Sequence, residues 1–163
     1  MTKYKIIFSK FKEKLERYNN IKNKCCNILI NFIQHFNKYL GCQNVNDVLP
    51  HNCQSDPIKI DDIRDHFELN QGHWNIKIVI KFDGNFKEVL ENLDLKHFNI
   101  IINLSFLQNE NNINLKVFAN NNSTIYSTIN ENDENIFEQI SEHIFENIIN
   151  RINNSEISET LYL

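Results

Sequence analysis

YKIIFSKFKEKLERYNNIKNKCCNILINFIQHFNKYL, residues 4–40, decides the architecture. Tyr4, Phe8, Phe11, Leu15, Tyr18, Cys25, Leu29, Phe32, Phe36 and Tyr39 follow one another at steps of four and three, with a single gap at Lys22. That spacing is the apolar seam of one long α-helix or of a helical hairpin. At 1.5 Å per residue a continuous helix over 4–39 would be roughly 54 Å long, against roughly 30 Å for a small domain, so part of it is expected to pack on something besides its own core.

The two halves of the seam differ. Ile21, Ile28, Ile33 and Leu40 widen the second half into a broad apolar face, whereas the first half is narrow and bordered by Lys and Glu. The second half is therefore expected to dock on the core and the first to stand out as an arm, the whole element occupying 2–40. Asn19 and Asn20 have mediocre helix propensity, which leaves a break near Tyr18 to Ile21 as the alternative. Gly41 sits where a left-handed helix terminator is expected.

Downstream, 42–72 reads as an irregular connection, with Pro50 and Pro57 forbidding a continuous helix. Within it 61–69 is expected to form a short helix carrying Ile63 and Phe67, followed by a turn at Asn70, Gln71 and Gly72. The sheet is expected over 73–129. Trp74, Ile76, Ile78, Ile80 and Phe82 alternate with Asn75, Lys77, Val79 and Lys81, the mark of a strand with one apolar and one mostly wet face. Phe86, Val89, Leu90 and Leu93 have helical spacing. Further strands are expected over 98–107, 113–119 and 124–129, the last three strands forming an antiparallel meander. Asn130 and Asn132 are candidate caps for a helix over 131–153 bearing Phe137, Ile140, Ile144, Ile148 and Ile152. Residues 155–163 read as a loose tail, with Leu161, Tyr162 and Leu163 as an alternative short docking motif. The expected fold is α+β: one two-layer sandwich, with a four-stranded, mostly antiparallel sheet and both helices on the same face.

Composition sets limits on this chain of 163 residues. It is 41% hydrophobic and 23% charged, ordinary values for a globular protein large enough to fold without metal or disulfide. Abundant Asn and Ile with scarce Ala read as a codon-composition effect. A net charge of −4 and a pI near 5.9 disfavour nucleic acid as a partner. The charges are nonetheless segregated. Lys3, Lys5, Lys10, Lys12, Lys14, Arg17, Lys22, Lys24 and Lys38 crowd the front, while Glu131 to Glu159 form an acidic end relieved only by Arg151, a segregation that would let the two ends attract each other. The plainer account of each is a solvated helix face. No signal-peptide pattern and no stretch of about 20 apolar residues is present, and Cys25, Cys26, Cys42 and Cys53 lack a disulfide framework. A soluble, intracellular, cytoplasmic protein is expected.

Chemistry finds little support. Cys42, His51, Cys53, His66 and His73 are the most metal-like set, yet only His51 and Cys53 have ligand-pair spacing. Asp56, Asp61, Asp62, Asp65 and Glu68 form an acidic cluster that a helix start explains. No local signature links a cysteine to a histidine, and Trp74 beside His73 reads as packing. No catalytic, cofactor or metal residue is assigned. The reading is a non-enzymatic interaction or assembly subunit that joins a protein partner, as a homo-oligomer or in a larger complex, through Tyr4, Phe8, Phe11, Leu15 and Tyr18. The alternatives are a small-ligand or lipid-like binding domain with a cavity lined by Ile78, Ile102 and Phe106, and a metal or thiol enzyme centred on 42–73. Peripheral membrane contact by the basic, aromatic first helix ranks below protein contact.

Overall fold

The computed structural model describes residues 2–42, 47–51, 57–82, 91, 98–109, 112–119, 122–154, 158 and 160–163. The seam forms one continuous helix, α1 (Lys3–Tyr39), that runs through Asn19 and Asn20 without a break, so the hairpin alternative does not hold. Thr2 caps its start, its Oγ1 accepting from the Lys5 N–H at 3.4 Å. Gly41, at φ +68°, ends it: the Gly41 N–H donates to Lys38 O and the Cys42 N–H to Asn37 O, the paired bonds of a Schellman terminator.

The strands are β1 (Val48–His51), β2 (Glu68–Asn70), β3 (His73–Phe82), β4 (Phe98–Asn109), β5 (Asn112–Ala119), β6 (Asn122–Tyr126) and β7 (Thr160–Tyr162). They form one seven-stranded sheet rather than the expected four, in the order β1-β3-β4-β5-β6, with β2 added to β3 and β7 to β4. Every pairing is antiparallel except β4 with β7, and β4, β5 and β6 make the expected meander. The expected helix over 61–69 is cut short. A 3-10 turn (Ile60–Asp62) leads into α2 (Ile63–His66), and Leu69 already belongs to β2. Gln71 and Gly72 both take positive φ and turn the chain from β2 into β3 within two residues, the geometry a tight hairpin demands. Because Ile58, Ile63 and Phe67 are all buried, the segment expected to be an irregular connection supplies part of the core.

The even-numbered positions of β3 and β4 build the inner face. Trp74 pairs with Phe106, Ile76 with Leu104, Ile78 with Ile102 and Ile80 with Ile100, all buried. Cys25, Ile28, Leu29, Phe32, Ile33 and Phe36 of α1 cover that face beside Phe137, Ile140, Ile144 and Ile148 of α3 (Glu134–Asn154), so both helices share one core with it. The cap of α3 is Asp133, whose Oδ1 accepts from the Ile136 N–H at 3.2 Å, rather than Asn130 or Asn132. A carboxylate there also suits the positive helix start.

Two further expectations give way. The strand expected over 124–129 stops at Tyr126, because Thr128 takes φ +56°, held by the Asn114 Oδ1 that accepts its N–H. The tail is no loose end: Leu161 and Leu163 are buried, and the Leu163 N–H donates to Ile101 O. On the second sheet face, Val79 and Ile101, paired across β3 and β4, are buried. The helical spacing of Phe86 to Leu93 lies outside the described residues, apart from Glu91.

Candidate functional site

From Thr2 to Asn20 every residue is exposed, and burial begins only at Ile21. This length of α1, about 27 Å at 1.5 Å per residue, therefore projects from the body, which it meets at its root. Along it Tyr4 is 75% exposed, Phe8 58%, Phe11 63% and Leu15 47%, whereas Phe32 and Phe36 on the same seam are fully buried. Tyr4 and Phe8 stack on each other with ring centres 6.5 Å apart, an aromatic strip without cover. Ile7, also exposed, broadens the strip, a contribution its off-step position in the heptad concealed.

The root of the arm is a defined joint. The Tyr18 ring lies 4.7 Å from that of Trp74, and the Lys22 Nζ stands 5.7 Å from the Trp74 centroid. Trp74 is in turn 6.2 Å from Phe67. Lys22, the one gap in the seam, thus sits where the helix leaves the core, its cation over an aromatic face. Beyond the joint the polar side of the arm pairs with itself. Lys10 meets Glu13 at 2.8 Å and Lys12 meets Glu16 at 3.8 Å. Hydrogen bonding between Lys10 and Glu13 holds the ammonium above its ordinary pKa and the carboxyl below its own. Lys3, Lys5 and Lys14 add positive charge, which keeps the arm strongly basic on an acidic chain.

The other candidates are scattered. His51 is buried on β1, His66 is exposed at the end of α2, and His73, at the start of β3, lies 3.3 Å from the Ser105 Oγ. Cys42 closes the α1 terminator, and Cys53 lies outside the described residues. Among the described residues no three His, Cys, Asp or Glu side chains form a group able to hold a metal. Asp61, Asp62 and Asp65 are exposed around the 3-10 turn and the first turn of α2. Burial pushes the Cys25 thiol up to about 12, with the neighbouring Cys26 adding to the effect, and raises those of Cys26 and Cys42 as well. Such thiols are protonated at neutral pH and poor nucleophiles.

Ile78, Ile102 and Phe106 are packed in the core cluster. A cleft of about 210 Å³ lies instead between Lys24 and Ile28 of α1 and the segment Thr128 to Glu131, and two broader depressions of about 640 and 480 Å³ lie along Glu138, Glu142 and Glu146 of α3 and over 130–135, both lined by polar side chains rather than by an apolar wall. On the far side of the helical layer the Tyr126 hydroxyl and His143 Nδ1 are 2.6 Å apart, a pairing that no sequence spacing announces.

Among the described residues no helix is long and apolar enough to cross a membrane. The chain matches no protein-family model, no curated protein and no solved structure.

Proposed function

We propose that this protein is a non-enzymatic assembly subunit of a reducing, cytoplasmic compartment, whose amino-terminal arm docks on another protein. One observation carries the reading: the chain's longest helix leaves Tyr4, Ile7, Phe8, Phe11 and Leu15 in water along a single run. A contiguous apolar strip of this kind marks an interaction surface, because each ring left in solvent forgoes about 1.5–3 kcal/mol of burial. From Thr2 to Arg17, short of the joint at Tyr18, every residue of the arm is exposed, and an isolated helix of that length is marginal in water. A partner would cover the rings and fix the helix in the same step.

The mechanism is an amphipathic helix laid into a groove, anchored by Phe8 and Phe11 with Tyr4 and Leu15 beside them. Aromatic residues at so many seam positions suit that mode better than a two-stranded coil, which favours Ile, Val and Leu. The free thiols of Cys25, Cys26 and Cys42 support the compartment.

A photo-activated cross-linking residue placed at Phe11, compared with the same probe at exposed Ile125 on β6, tests the reading in cells that make the protein. Discrete protein adducts from position 11 and none from position 125 are expected. Equal yields at the two positions, or no protein adduct from position 11, would overturn it.

A further inference from the structure

The two helices of the layer run side by side in the same direction but out of step. Asn27 donates to the Glu131 carboxylate at 3.2 Å, His35 Nε2 lies 3.0 Å from Glu138, and the Tyr39 hydroxyl donates to Glu142 at 2.8 Å, with the Tyr39 and Phe145 rings 6.2 Å apart. There α1 ends. α3 continues to Asn154, about 13 Å further at 1.5 Å per residue. Glu138, Glu142 and Phe145, the positions that meet α1, belong to one helical stripe that goes on through Ile149 and Ile152. Phe145, Ile149 and Ile152 are 40%, 41% and 42% exposed, although Ile152 was expected on the core face. The lane that α1 occupies thus extends past Tyr39 with its apolar floor uncovered, at the end of the molecule opposite the arm.

We infer that a second copy of this chain fills that lane with its own arm, an inference that rests on reading the arm as a protein-docking element. Charge selects the occupant. Lys5 and Lys12 border one side of the arm's apolar strip, Lys3 and Lys14 the other, while Glu146 borders the open part of the α3 stripe and Glu142, bonded to Tyr39, stands at its head. Arm against arm would bring these lysines together, whereas arm against α3 places lysine beside glutamate and ring beside isoleucine. The open run over 145–154, about 13 Å, takes about half of the arm, enough for the turns that carry Phe8 and Phe11. Because the two surfaces differ and lie at opposite ends, the contact is heterologous, and each copy offers one of each.

That asymmetry gives a test. Phe8→Glu with Phe11→Glu disables the arm; Ile149→Lys with Ile152→Lys disables the α3 flank; all four positions are exposed, so both variants should fold, which their circular dichroism and melting will verify. Sedimentation velocity is expected to show the wild type associating as its concentration rises and each variant alone as a monomer. An equimolar mixture of the two variants is expected to give a one-to-one pair, formed from the one intact arm and the one intact flank. A wild type that stays monomeric at every concentration, an α3 variant that still self-associates, or a mixture that stays monomeric would overturn the inference. If position 11 nevertheless cross-links to a different protein, self-docking fails while the arm stays a docking element; if it cross-links to no protein, both fail.

Discussion

The Lys22 ammonium stands 5.7 Å from the centre of the Trp74 ring, next to the Tyr18 ring that packs against the same indole at 4.7 Å. This pair marks the boundary between the part of α1 that belongs to the core and the part that leaves it. Trp74 is the only tryptophan, and it is 3% exposed, so its emission reports the joint directly. Replacing Tyr18 and Lys22 together by alanine should shift that emission to the red and cost about 1 kcal/mol, the scale of a cation–π contact near a surface with some ring packing. An unshifted spectrum would mean the indole is covered by other groups.

The seam's two halves should respond oppositely to truncation. Phe11→Ala removes a ring already in water and should change stability by no more than about 0.5 kcal/mol in the monomer. Phe32→Ala empties a fully buried site between Phe36 and Phe137, their ring centres 5.6 and 5.8 Å away, and should cost about 3–5 kcal/mol. Urea unfolding of the two variants checks both numbers.

The tail should be structural. Leu161 and Leu163 are buried, and β7 extends β4 along Asn99 to Ile101. Truncation after Asn154 should lower stability by several kcal/mol, since each buried leucine contributes about 1.5–3 kcal/mol. Thermal melting of the shortened chain within a degree of the intact one would refute the docking of β7.

Burial of Cys25 makes a pH prediction. Its thiol is raised from an ordinary value near 9.0 to about 12, chiefly by desolvation. Folding thus favours the neutral form, so the stabilising contribution is complete below pH 9 and is lost as pH rises toward 12. Native alkylation of Cys25 should be slow at pH 8 and fast only after unfolding, as mass spectrometry of iodoacetamide-treated samples will show.

Ser141 is fully buried on α3, and its Oγ has no hydrogen-bond partner among the described residues. Ser141→Ala relieves that desolvation at little change in volume and should raise stability by about 1 kcal/mol. A lower melting temperature would show that the hydroxyl is satisfied in solution.

How much of this was legible follows from the range of each signal. The seam, the alternation from Trp74 to Phe82 and the stop at Gly41 are local periodicities and turn chemistry, and all are visible in the chain itself. Lys22 read as a gap because its partner, Trp74, lies on a distant strand. β7 escaped because three residues carry no alternation, and its place is supplied by the edge that β4 exposes where β5 pairs no further than Asn103. β2 was hidden for the same reason of length. The arm was legible because its residues are apolar on one face and charged on the other. The α3 flank was not, since Ile148 and Ile152 look alike along the sequence, and only the packed fold shows one in the core and the other exposed.

Amide hydrogen exchange across 4–18, followed as the purified chain is concentrated, tests the central claim most directly. The account predicts fast exchange in the dilute monomer and protection that grows with concentration and vanishes in Phe11→Glu, while amides over 25–36 stay protected throughout. Exchange over 4–18 that is already as slow in the dilute monomer as over 25–36, or that never slows on concentration, would contradict it.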